Sequence, residues 1–193
     1  MVAVRPVIQY NLNRDVHTLQ EMAARLDPFI YENETYGFMP EGLPKLTIGG
    51  LLMRSQRLTL LSNLLSDEQR KTLNSAQQQL VTIKQAWLTA YTNRVAHELA
   101  LHINELRQFL DDCGQDQDAC REMYPSVVEK RVLAEILVSE ARELNAQPLE
   151  LENGLHNIDL HLQGLFKPGH FIWDKRLLRA YPKDQYGFLY VSM

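Results

Sequence analysis

The sequence predicts a mainly α-helical bundle built around one very long central helix, and three observations carry that reading. No glycine or proline interrupts the chain from Ser66 to Asp112. Ser66 with Gln69, and Ser126 with Glu129, have the spacing of a capping box, in which the serine hydroxyl and a side chain three residues on satisfy each other's backbone N–H groups. Apolar residues through the middle of the chain recur at intervals of three and four, the period of a helix that buries one face.

Taken in order, "VAVRPVIQYNL" near the start alternates over short stretches and contains an edge-compatible proline, so it reads as a strand. Residues 14–27 place Val16, Leu19, Ala23 and Leu26 on one helical face. That helix is expected to stop at Asp27, because Pro28 disfavours a helical residue before it. Residues 31–50, "YENETYGFMPEGLPKLTIGG", concentrate glycine and proline and form the longest irregular segment. A second helix follows from about Leu51 to Leu65.

The long helix covers about 66–112, and its apolar stripe changes course. The first half carries Leu73, Ala76, Leu80, Ile83, Trp87 and Ala90, the second Leu88, Tyr91, Val95, Leu99, Ile103, Leu106 and Leu110. At ~100° per residue the two stripes lie about a quarter turn apart. The helix therefore changes partners, or breaks, between Trp87 and Val95. Gly114 ends it and "QDQDAC" carries the turn.

The second capping box opens a helix after Pro125 that runs to about Leu144, with an apolar face (Val128, Val132, Leu133, Ile136, Leu137, Leu144) broad enough for burial from more than one side. Pro148 suits the first turn of a last helix ending near Phe166. Residues 168–193 form an aromatic extension expected to pack back on the bundle, since a solvated tail would not carry so many rings. Its end, "YGFLYVSM", is β-branched and aromatic, and pairing with the first strand would make a small two-stranded β ribbon from the termini. With 193 residues, the chain suits a single helical domain over 1–193 better than two.

A net charge of −4 argues against nucleic acid or an anionic membrane surface as principal partner, since both reward a basic face. No apolar run approaches the ~20 residues that span a bilayer, and the first residues lack the apolar core of a secretory signal. A soluble, cytoplasmic protein is the expectation. There Cys113 and Cys120 would be reduced thiols, whereas an oxidising compartment would allow a small-loop disulfide. Two cysteines alone cannot build a structural zinc site.

One pattern resembles chemistry. "ELALHINE" and "ENGLHNID" both place an acid four residues before a histidine and another three after it. Glu98, His102 and Glu105 thus share one helical side, as do Glu152, His156 and Asp159, with His97, His161 and His170 as substitutes. If the two faces met, they would offer the ligand set that holds a transition metal ion inside a bundle. Direction argues otherwise, because these residues sit on the shoulders of their apolar stripes, where solvated ion pairs are the simpler reading. No phosphate loop, nucleophile elbow or His-Glu-x-x-His occurs, so no catalytic motif is recognised and no cofactor is expected.

The function expected is that of a non-catalytic helical scaffold or protein-interaction protein. The rivals are a metal-binding bundle enzyme using the paired acid–histidine faces, and a small-molecule-binding regulator. The last would use a pocket under loop 31–50 lined by Tyr31, Tyr36, Phe38, Trp173 and Tyr186, "YGF" occurring both at Tyr36–Phe38 and at Tyr186–Phe188. Homodimerisation follows from size: an unbroken helix over 66–112 would reach about 70 Å against a compact diameter of roughly 42 Å. Some of Leu73, Leu80, Ile83 and Trp87 should then lack intrachain cover and be buried by a second copy.

Overall fold

The computed structural model describes residues 9–32, 34–146 and 149–192. They form seven α-helices, α1 (Leu12–Ala24), α2 (Leu26–Tyr31), α3 (Ile48–Leu60), α4 (Asp67–Ala86), α5 (Leu88–Cys113), α6 (Gln117–Glu143) and α7 (Leu149–Leu165), and two short strands, β1 (Lys167–Phe171) and β2 (Tyr190–Ser192). The mainly helical class with a small ribbon is as the periodicity indicates. No helix among the described residues is long and apolar enough to cross a membrane.

The central helical stretch forms over the expected residues as two helices meeting at Trp87. Trp87 leaves helical geometry at φ −129° and ψ 39°, yet its N–H still reaches the Ile83 carbonyl at 2.9 Å and its carbonyl accepts from Tyr91 at 2.9 Å. The quarter-turn offset between the stripes is absorbed by this one residue, held from the side by Tyr31 edge-on to its ring and by Asp27 accepting from its Nε1 at 3.2 Å. On either side the partners differ. The α4 stripe packs on α1, and the α5 stripe, from Tyr91 through Leu106, is buried mainly against α6 and α7. Of the four residues among which uncovered ones are expected, Leu73 and Leu80 are 4% and 9% exposed, with α1 packed along α4. Ile83 is half-buried, and of the four only Trp87, at 44%, is open.

Two prolines sit inside helices rather than before them. Pro28 falls in the first turn of α2, where its missing N–H has no helical partner to lose, so helix resumes after the break at Arg25. Pro125 lies well inside α6, which starts at Gln117 and not at Ser126. The Asp116 carboxylate caps the earlier start through the N–H groups of Asp118 and Ala119, and a Cys113–Cys120 disulfide clamps the turn to α5. Tyr124, stacked on Phe166 at 4.1 Å and donating to the Phe188 carbonyl, anchors the residue before the proline. These ties offset the ladder bond that Pro125 forfeits.

The terminal strand pairs with β1, antiparallel, Lys167 opposite Ser192 and Phe171 opposite Tyr190. A bulge sets Pro168 and His170 both against Val191, and Gly169 between them has no room for a side chain: a Cβ would stand 2.4 Å from the Ser192 nitrogen. Of the N-terminal strand expected over residues 2–12, residues 1–8 lie outside the described residues, while Leu12 already belongs to α1. Leu177, Ala180, Tyr181, Tyr186, Leu189 and Val191 of the C-terminal segment are buried in the same apolar cluster as the helices.

Candidate functional site

Helix α3 begins with its first turn turned into the molecule, and its N–H groups need acceptors that water cannot supply there. Thr47 provides one, its Oγ1 accepting from Gly50 at 2.9 Å. Glu98 of α5 provides two: Oε2 accepts from Ile48 at 2.7 Å and Oε1 from Gly49 at 2.9 Å. A carboxylate buried at 7% exposure is thus placed at the positive end of a helix, the arrangement in which a buried charge is best compensated. Gly49 is the residue that permits it, since a Cβ there would come within 2.7 Å of Glu98 Oε1 and 3.2 Å of Leu137.

The carboxylate leads on to His102, one turn along α5, whose Nε2 lies 3.4 Å from Glu98 Oε1 and whose Nδ1 lies 3.1 Å from Glu105 Oε2. Glu105 then meets Lys130 of α6 at 2.7 Å. Burial favours the neutral imidazole, but the hydrogen bonds and charges of Glu98 and then Glu105 outweigh it and hold the His102 pKa above its ordinary value. Burial likewise opposes ionisation of Glu105, and Lys130 together with His102 overcomes it, leaving that carboxyl below its ordinary value. The result is an ordered row of alternating charge linking α3, α5 and α6.

The shoulder reading is corrected for Glu98 and His102, which are 7% and 4% exposed. Their own stripe does not bury them; the N-terminus of α3 covers that side of α5. Glu152 and Asp159 are half-buried and His156 exposed, as a shoulder position would have it. The two faces are engaged separately: Asp159 accepts from Arg131 Nε and Nη2, both at 2.8 Å, and Glu152 pairs with Arg142 at 2.8 Å. His97, His161 and His170 are exposed. Among the described residues no group of three or more His, Cys, Asp or Glu is arranged to hold a metal ion.

A second polar cluster joins α1, α3 and the C-terminal segment. Asp15, 5% exposed, accepts from the Tyr10 hydroxyl at 2.9 Å, pairs with Arg57, and lies 3.4 Å from Arg54 Nε. Beside it an open cleft of about 510 Å³ lies between α3, α4, α6 and residues 179–186, with Arg57 and Tyr181 in its wall. Of the aromatic residues expected around a pocket, Tyr186 lines this cleft. Trp173 packs edge-on to Tyr181 at 5.1 Å. Tyr31, Tyr36 and Phe38, at 51%, 41% and 77% exposure, stand on the surface away from it, so loop 31–50 does not roof it.

Neither the Glu98 cap nor the Asp15 cluster was visible as a motif, because their partners lie far apart in the chain. The local signal for the first was "TIGG": a threonine that can cap, followed by two glycines where side chains would crowd. Comparison with protein-family models, curated proteins and solved structures finds no match.

Proposed function

We propose that the protein is a non-catalytic helical scaffold that associates with itself through the corner where α4 meets α5. One observation carries this reading: the large apolar side chains left open there. Val81, Trp87 and Leu88 are 45%, 44% and 53% exposed, and Tyr31, at 51%, stands edge-on to Trp87. A half-exposed tryptophan with apolar neighbours is the kind of anchor that protein interfaces bury. The reading also takes support from Glu98, which caps a helix, and His102, which lies between two carboxylates. Support for self-association therefore rests on the exposed corner and no longer on Leu73 and Leu80, which α1 covers.

Light scattering at about 50 µM tests the reading, in the range where an interface of micromolar affinity is filled. Wild-type protein is expected to run as a dimer, and Trp87→Asp with Leu88→Asp as a monomer of unchanged helicity. A compact wild-type monomer at that concentration would remove self-association. The cytoplasmic location expected from the sequence has the Cys113–Cys120 disulfide weighing against it, since cytosolic thiols are kept reduced. Alkylation of freshly lysed cells followed by mass measurement decides between them.

A further inference from the structure

Trp87 divides the chain into two halves. Before it α4 packs mainly on α1, after it α5 packs mainly on α6 and α7, and α3 reaches across to α5 and α6. Specific ties join the halves. Glu98 accepts from the Gly49 N–H at 2.9 Å, Arg94 donates to the Phe29 carbonyl at 2.6 Å, Lys84 meets Glu140 at 2.6 Å, and Asp174 accepts from the Tyr10 N–H at 2.8 Å. Each links a residue before Trp87 to one after it.

The joint itself is one residue. No glycine or proline occurs from Ser66 to Asp112, and between Asp67 and Cys113 only Trp87 lies outside the two helices. Backbone hydrogen bonds run up to it and away from it, from Trp87 N–H to the Ile83 carbonyl and from Tyr91 N–H to the Trp87 carbonyl, both at 2.9 Å. Among the described residues no side chain caps the start of α5, so the bend leaves first-turn N–H groups that a continuous helix would bond internally. The bend is held by Tyr31, edge-on to the indole at 4.7 Å, and by Asp27, 3.2 Å from its Nε1. Both contacts lie at the surface, with Tyr31 51% and Trp87 44% exposed.

We infer that a second copy of this chain associates by exchange at this joint: α4, Trp87 and α5 straighten into one helix of about 70 Å, and α1 to α4 of each copy pack on α5 to α7 of the other. Every tie between the halves is then made between copies, so that Glu98 of one chain caps α3 of the other. The change is confined to the joint. The contacts of Tyr31 and Asp27 with Trp87 are given up, helix is completed at two joints, and the two straight helices cross near Trp87. Val81 and Leu88, seven residues apart and therefore on one face of a continuous helix, are 45% and 53% exposed in the bent form and meet their counterparts at that crossing. Exchange rests on the self-association proposed above, and differs from contact between two finished surfaces in that each copy completes the core of the other.

The test uses full-length chains with the disulfide intact, one batch labelled with heavy nitrogen and the other with heavy carbon, unfolded, mixed in equal amounts and refolded together. In the dimer, isotope-filtered NMR is expected to show the Gly49 N–H of nitrogen-labelled chains against the Leu137 methyls of carbon-labelled chains, a pair buried together on opposite sides of the joint. Two variants test the helix: Trp87→Gly should dimerise about thirtyfold more weakly than Trp87→Ala, since glycine opposes helix at two joints per dimer while both variants lose the same indole. The indole is half exposed, so both should keep the helicity of wild type. A dimer by light scattering with Gly49 and Leu137 in contact only within chains of one label overturns exchange and leaves the corner interface standing. Equal dimerisation of the two variants overturns it too. A wild-type monomer removes exchange together with the self-association on which it rests.

Discussion

Glu98 and Gly49, forty-nine residues apart in the chain, are joined by a 2.9 Å hydrogen bond from the Gly49 N–H to Glu98 Oε1, in a space a single methyl group would fill. That relationship fixes where α3 starts and what covers α5. Replacing Gly49 by alanine should force the carboxylate off the helix end and cost about 1–3 kcal/mol. Glu98→Ala should cost more, about 2–5 kcal/mol, since two buried N–H groups lose their acceptor and His102 one of its two carboxylates. Urea denaturation of the two variants checks both values. A Gly49→Ala protein as stable as wild type would show that the helix end tolerates a shift.

His102 predicts the sign of a pH dependence. Its pKa is raised in the folded state above the ordinary 6.5, so its contribution to stability is fully present below about 6.5 and is lost as pH rises through the higher folded value. Glu105 acts at the other end: lowered below the ordinary 4.5, it contributes above that value and loses its contribution as pH falls through the lower folded one. Stability measured by denaturant should therefore fall off on the alkaline side of 6.5 in wild type. His102→Gln should flatten that decline. An unchanged slope in the variant would mean the histidine is not charged in the fold.

The Cys113–Cys120 disulfide closes a small loop at the junction of the two longest helices, with both residues buried. Chain-entropy reasoning for a loop this short gives about 2–3 kcal/mol of stabilisation. Reduction, or Cys113→Ser with Cys120→Ser, should lower the melting temperature by several degrees without loss of helix content. Identical melting in the presence and absence of reductant would show that the bond is absent from the purified protein.

Arg131, 5% exposed, is held by both oxygens of Asp159 and by Glu135 at 3.0 Å. Asp159→Ala should destabilise by about 2–4 kcal/mol, because a buried guanidinium then keeps only one carboxylate. Changing both residues, Arg131→Met with Asp159→Leu, should recover most of that loss, since an apolar pair of similar volume needs no desolvated charge. The comparison of single and double variants by thermal melts reads this directly. A double variant no better than the single would place the value of the pair in orientation of α6 and α7 rather than in charge.

What the sequence determined by itself is the local part. Capping at Ser66, the stop at Gly114 and the apolar stripes of α4 and α5 depend on neighbours within a few residues, so their periods can be read in one dimension. Even the change of partner at Trp87 was legible, as a phase offset between two stripes. The tertiary structure decided whatever needed a second element. A shoulder of α5 is buried because α3 starts on it, and the spacing of Glu98 and His102 is the same whether water or a helix N-terminus lies beyond. The stripe on Leu73 and Leu80 is covered because α1, set earlier in the chain, lies along it. Pro125 stays inside a helix because a disulfide and the Tyr124–Phe166 stack hold the turns that lead into it. Amphipathic spacing states which side of a helix can be buried, while the energy that decides what buries it comes from contacts between residues the spacing does not relate.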